Sequence, residues 1–192
     1  MMEILPTSLP GVLLMRPEVF DDPRGYFFES YRKSLLDEAA GRPVDFVQDN
    51  QSSSAYGVLR GLHYQKGRHA QAKLVRVLAG RVLDVAVDIR RDSPSFGRHV
   101  AVELSGENRL QLFIPRGFAH GFAVLSPQAV FAYKCDNYYA PQAQAGIAWD
   151  DPALGIDWRI SPGEVILSEK DRENPPLSRA ADLPDLRESL SF

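Results

Sequence analysis

The chain has 192 residues, 44% of them hydrophobic and 24% charged, with a formal net charge of −3 at neutral pH. That balance is ordinary for a globular protein and offers no broad cationic surface for nucleic acid or an anionic membrane. The single cysteine, Cys135, has no intramolecular disulfide partner, which fits a reducing compartment such as the cytoplasm, and no apolar run reaches the length of a membrane span.

The first elements are short. Residues 1–15 mix Glu3, Pro6 and Pro10 among apolar positions and lack the basic region of a secretory signal. Residues 32–41 (RKSLLDEAAG) carry the one ordinary helical pattern, with Gly41 placed to cap its C-terminus. Further on the period falls to two. In residues 58–65 (VLRGLHYQ), strict alternation puts Arg60 on one face and His63 on the other, with Gly61 between them. A bulge at Gly61 inverts the alternation and turns both side chains toward one pocket. Residues 73–79 (KLVRVLA) lead through Gly80, the position of a hairpin turn, into a second run. There Leu83, Val85, Val87 and Ile89 share one face, while Val82, Asp84, Ala86 and Asp88 share the other. Four more runs follow (GRHVAVEL, RLQLFIP, HGFAVL and AVFAYKCDNYY), separated by turn-forming clusters. Strands this short and this evenly spaced predict a mainly β fold: a sandwich, jelly roll or barrel. The tail, with Pro175 and Pro176, is expected to form loops and a short helix. No repeat or Gly/Ser-rich linker divides the chain, so one domain over residues 1–192 is expected. Its β core runs from about 45 to 150, with N-terminal strands and the C-terminal tail packed on it.

Two segments resemble the halves of a cupin jelly roll. Pro115, Gly117 and His120 keep the P-x-G-x-x-H spacing of the second cupin motif, and the first would run from Gly61 and His63 to Gly80. Metal-binding cupins place two histidines and a glutamate in that first motif. Here Gln65 stands where the second histidine belongs, and Lys73 stands about where the glutamate belongs. An ammonium beside a divalent cation in a poorly solvated cavity costs on the order of several kcal/mol. His63 and His120 therefore lack the partners of a three-ligand site, and no metal is expected.

Charges inside a small barrel are costly unless a ligand or partners satisfy them. Arg60, His63, Lys73, Asp84, His120, Tyr133 and Asp136 all lie in or beside strand-like runs. Each candidate has a plain structural alternative. His63 could be a satisfied core or edge histidine, and Arg60 and Lys73 solvated edge residues. Tyr133 could be a core aromatic, Tyr138 and Tyr139 cross-strand packing partners, and Asp171 a helix N-cap. Together they include a base, an acid and two cations, the parts needed to remove a proton beside a carbonyl.

The segments FDDPRGYFFESY, FVQDNQSSS, VLRGLHYQ, AKLVRVLAGRVLDVAVDIRRDSPSFG, IPRGFAHGF, YKCDNYYAP and DPALGIDW follow one another over nearly the whole chain. Through them the sequence resembles the dTDP-4-dehydrorhamnose 3,5-epimerase family. The resemblance implies a cupin-type jelly-roll β-barrel with a few short peripheral helices. It also implies a homodimer in which N-terminal strands extend a neighbour's sheet. The implied activity is that of a cytoplasmic isomerase of dTDP-L-rhamnose biosynthesis, converting dTDP-4-dehydro-6-deoxy-D-glucose to dTDP-4-dehydro-L-rhamnose. No metal, organic cofactor, nucleic acid or membrane is implied.

By the same resemblance His63 is the base, Asp171 the carboxylate that supports it (with Asp84 in reserve), and Tyr133 the proton donor, eased by a nearby cation. Lys73 faces the sugar's O4. Arg24 and Arg60 match pyrophosphate contacts, while Glu29, Gln48, Asp49 and Asn50 match nucleotide and sugar contacts. His120 matches a ligand hydrogen bond, Tyr139 a thymine-stacking ring, and Lys170 a C-terminal contact. Around Gln144 the family often has a glutamate in APxxEG; APQAQAG here keeps hydrogen bonding and loses the charge. Arg24 and Glu29 are expected to serve the partner's site. Three other readings stay open on the residues: an epimerase of C3 alone, a non-catalytic nucleotide-sugar-binding jelly roll, and a metal-dependent cupin oxygenase.

Overall fold

The computed structural model describes residues 2–187. In chain order the strands and α-helices are β1 (Glu3–Pro6), β2 (Leu13–Arg16), β3 (Val19–Asp22), β4 (Gly25–Phe28), α1 (Lys33–Ala40), β5 (Gln48–Ala55), β6 (Leu59–Gln65), β7 (Lys73–Ala79), β8 (Arg81–Asp88), β9 (His99–Ser105), β10 (Gln111–Ile114), β11 (Phe118–Val124), β12 (Gln128–Cys135), β13 (Gln144–Gly146) and α2 (Glu169–Arg172). A six-stranded sheet has the order β1-β2-β10-β7-β12-β5, and a five-stranded sheet the order β13-β6-β11-β8-β9. The hairpin β3-β4 stands apart as a two-stranded ribbon. The paired strands run antiparallel, and the two large sheets form a jelly roll.

The core has three layers. Between the sheets, Val75, Val77, Leu112 and Phe131 from one meet Val82, Ala86, Phe118 and Phe122 from the other. The outer face of the five-stranded sheet packs Leu83, Val85, Val87 and Ile89 against Trp158 and Leu177 of the C-terminal segment. The alternation of β8 therefore serves two cores at once, and both of its faces are dry. Outside the six-stranded sheet, Leu74 and Phe113 pack against Leu36 of α1 and Val44. Gly41 ends α1 at φ 69°, a left-handed conformation that costs glycine little. Among the described residues no helix is long and apolar enough to cross a membrane.

One irregularity aims the site. Where β6 pairs with β11, His63 lies opposite His120 and Arg60 opposite Phe122, so three steps on β6 answer two on β11. The extra residue is the bulge expected at Gly61, which has φ 135°. A Cβ on Gly61 would lie 2.5 Å from Gly121 Cα, so the two strands cross here with no room for a side chain.

Candidate active site

Between the sheets one mouth of the roll opens into a cavity of about 500 Å³. It is lined by Asn50, Arg60, His63, Lys73, His120, Tyr133, Gln144, Lys170 and Asp171 among the residues singled out from sequence. Arg60 and His63 share it because the bulge puts both on one side. The stacked rings of Phe122 and Phe131, with centroids 4.1 Å apart, give it an apolar wall.

His63 reaches the cavity from β6, and its Nε2 donates a hydrogen bond to Asp171 Oδ1, 108 residues away in sequence. Asp171 sits on the single turn of α2, whose N-cap is Ser168; the Ser168 hydroxyl accepts the Asp171 N–H at 3.2 Å. Burial pushes the Asp171 carboxyl up. Hydrogen bonds from His63, Ser168 and the Gly61 N–H, with attraction to His63, outweigh it and hold the group below its usual range.

Directly across the ladder is a second pair. His120 Nε2 donates to Asp84 Oδ2 at 2.9 Å, and both side chains are buried. Burial pushes the His120 imidazole below its ordinary value despite the attraction of Asp84. Asp84 Oδ1 is buried and has no hydrogen-bond partner among the described residues. Asp84 thus supports His120 rather than His63: alternation decided its face, and the register of β8 against β11 (Asp84 opposite Phe122, Ala86 opposite His120) decided its neighbour.

Lys73 opens β7 and makes no hydrogen bond or ion pair among the described residues; its Nζ lies 5.8 Å from the centre of the Tyr133 ring. Burial pushes its ammonium below the ordinary lysine value, against the pull of Cys135 and Asp84. Tyr133 moves the other way. Burial raises its hydroxyl, and the positive charge of Arg60 offsets this only in part. The expected easing of proton loss by a cation is therefore outweighed by desolvation. Arg60 donates to Ser54 Oγ from Nε at 3.2 Å and Nη2 at 3.1 Å, which orients its guanidinium.

Several candidates lie outside this lining. Arg24 and Glu29 belong to the β3-β4 hairpin and its exit, where they pair with Asp22 and Arg32 instead. Asp49 points out of β5 to Lys134 at 3.0 Å, because alternation sends Gln48 and Asn50 inward and Asp49 outward. Gln48 accepts the Tyr139 N–H and donates to Asn50 Oδ1. Tyr139 is exposed, and its hydroxyl donates to Gln144 Oε1 at 2.5 Å. Asp136 also faces away from the cavity, toward Arg116. Among residues not singled out from sequence, Ser52 lines the cavity, Ser54 orients Arg60, and Ser168 caps α2; the period of two through QDNQSSSA carried the signal for the first two. Among the described residues no three His, Cys, Asp or Glu side chains gather as a metal site.

The family model described as dTDP-4-dehydrorhamnose 3,5-epimerase matches residues 6–179. A dTDP-4-dehydrorhamnose 3,5-epimerase of Salmonella typhimurium is 53% identical over 180 residues, 94% of this chain and 98% of that one. The crystal structure of a dTDP-6-deoxy-D-glucose-3,5-epimerase from Legionella pneumophila, in complex with dTDP-4-keto-L-rhamnose, is 49% identical. It superposes with a TM-score of 0.92, covering 96% of this chain and 98% of that one. A 3'-monoepimerase from Streptomyces bikiniensis, in complex with dTDP-quinovose, is 32% identical with a TM-score of 0.88, over 95% of this chain and 93% of that one. The chain belongs to the dTDP-4-dehydrorhamnose 3,5-epimerase family.

Proposed function

We propose that the chain, as a member of this family, is an isomerase that inverts C3 and C5 of dTDP-4-dehydro-6-deoxy-D-glucose. The product is dTDP-4-dehydro-L-rhamnose, and the pathway is dTDP-L-rhamnose biosynthesis. The observation that carries this reading is a single cavity lined by His63, Lys73, Tyr133 and Asp171. Both carbons flank the C4 ketone, so removal of either proton gives an enolate. With Nε2–H donated to Asp171, His63 keeps Nδ1 free to take the proton, and Asp171 stabilises the imidazolium that results. The Lys73 ammonium meets the charge growing on O4, a preorganised contact worth roughly 3–4 kcal/mol of barrier in such sites. Tyr133 returns a proton from the opposite face. Burial keeps that hydroxyl protonated until the enolate carbon takes the proton. Proton transfer beside a ketone needs a base, an acid and a charge for the oxygen, so the reaction is assigned to side chains without a metal or organic cofactor.

Arg60 and Arg24 are assigned to the pyrophosphate, and Tyr139 to the thymine. Glu29, Gln48, Asp49, Asn50, His120, Gln144 and Lys170 are assigned to the remaining nucleotide and sugar contacts. The chain acts as one domain and as a cytoplasmic homodimer in which Arg24 and Glu29 complete the partner's site. Neither lines this chain's own cavity, which supports that assignment, as does the exposure of Phe20, Tyr26 and Phe27 on the same hairpin. The alternative of inversion at C3 alone is favoured only by the likeness to the monoepimerase, at lower identity than the double epimerase.

The deciding experiment is exchange of substrate in deuterated water, read by proton NMR. Wild type labels both C3 and C5; His63→Ala labels neither; Tyr133→Phe still exchanges but yields less inverted sugar. Label at C3 only would assign the chain to the monoepimerases. Tight binding without exchange would leave a binding protein instead.

A further inference from the structure

Asp136 and Arg116 form a buried ion pair that the chemistry above does not use, each side chain being 9% exposed. Their positions are informative. Strand β7 is flanked by β10 on one side and β12 on the other, with Ile114 and Cys135 the two residues opposite Lys73. Asp136 follows immediately on β12, and Arg116 lies just past the end of β10. Lys73 is the first residue of β7, so the ladder proper stops there.

The pair extends the hold by one residue. The Ala72 N–H donates to Asp136 Oδ1 at 2.6 Å, and the Asp136 N–H donates back to the Ala72 carbonyl at 3.2 Å. Arg116 Nε donates to Asp136 Oδ2 at 2.9 Å, and its Nη2 reaches the Asp136 carbonyl at 3.5 Å. The residues that leave the two flanking strands thus close over the end of β7 and grip the peptide just before the lysine. Lys73 needs such a grip. Its ammonium has no hydrogen bond or ion pair among the described residues, so its direction is set by its backbone and by packing. Stability alone is a weak reason to keep a buried ion pair, since apolar residues of similar volume often serve as well or better.

We propose that Asp136, held by Arg116, is a positioning residue that fixes the backbone at Ala72 and so aims the Lys73 ammonium into the cavity. This rests on the role given to Lys73 above. The test is a double-mutant cycle of Asp136→Ala and Lys73→Ala, read as the rate of deuterium entry at C3 and C5, with dTDP affinity measured by calorimetry. In the wild-type background Asp136→Ala slows exchange about 10- to 100-fold, the scale of a misplaced catalytic group, while dTDP affinity changes less than about twofold. In the Lys73→Ala background the same change has no further effect. Asp136→Asn, which keeps an acceptor for the Ala72 N–H, recovers part of the rate; if Asp136→Ala does not fold, the cycle is run with Asp136→Asn. Equal slowing in both backgrounds overturns the proposal and leaves the role of Lys73 intact. A Lys73→Ala protein that exchanges as fast as wild type overturns both.

Discussion

The two histidine–aspartate pairs face each other across one ladder, yet they live in different media. His63 is 30% exposed at the cavity mouth, and its partner Asp171 is held charged by several donors. His120 is 7% exposed and Asp84 not at all, and one Asp84 oxygen has no partner among the described residues. A ring with solvent at its edge and a satisfied carboxylate behind it can take up a proton and give it back. A dry ring is kept neutral by desolvation and serves as a hydrogen-bonding group of fixed charge. In the roles proposed above, the same two residue types give a proton carrier at the mouth and a fixed contact inside, and hydration is what separates them.

The largest expected effect breaks the symmetry outright. His63→Ala should lower exchange at C3 and C5 by roughly 10³- to 10⁴-fold, whereas His120→Ala should cost only about tenfold, because it removes a contact and not the base. Equal losses in the NMR exchange assay would erase the distinction. Lys73 lines the same cavity half-buried, and Lys73→Met should lower kcat by about 10²-fold or more. The wild-type rate should fall on the alkaline side, through a pH that burial sets below lysine's ordinary 10.5; the variant should lose that limb. The same variant should unfold at a higher temperature, by roughly 1 kcal/mol of stability, since it removes a desolvated ammonium that has no hydrogen bond or ion pair among the described residues.

The smallest effect is read in pH-dependent stability. His120 has its folded value below the unfolded one, near 6.5, so its contribution is full above 6.5 and is lost as pH falls from there toward the folded value. By pH 6 this amounts to at most about 0.8 kcal/mol, and His120→Asn should flatten that slope in denaturant titrations. Asp171 acts in a lower window. Its stabilisation is complete above the unfolded carboxylate value near 3.9 and is lost as pH falls through its lowered folded value. Asp171→Asn should flatten only that lower slope, and a variant that flattened both would merge the two pairs into one.

Much of this was legible along the chain. The alternation through β8, the Gly41 cap and the bulge at Gly61 are local matters, decided within a few residues, and the structure has them where the pattern put them. The cupin-type jelly roll and the family followed from segments in order. Partnership was not legible from spacing. A period of two assigns a face but not a neighbour, so Asp84 was held in reserve for His63 and the structure gives it to His120. No local pattern joins His63 to Asp171 across 108 residues; only the resemblance paired them. The sign of the Tyr133 shift was equally hidden, because it depends on how much water the fold removes against how close Arg60 comes. Asp136 looked like another cavity charge until the order of strands showed it closing the end of β7.

The crossing of Gly61 and Gly121 has a consequence for the history of the sequence. A Cβ on Gly61 meets the Gly121 Cα at 2.5 Å, and one on Gly121 meets the Arg60 carbonyl oxygen at 2.7 Å. Each obstacle is main chain, which no compensating substitution can trim. Neither glycine can be replaced first, and replacing one opens no route for the other. Drift is free to exchange the side chains that line the cavity, but the bend that aims them has no single-step exit.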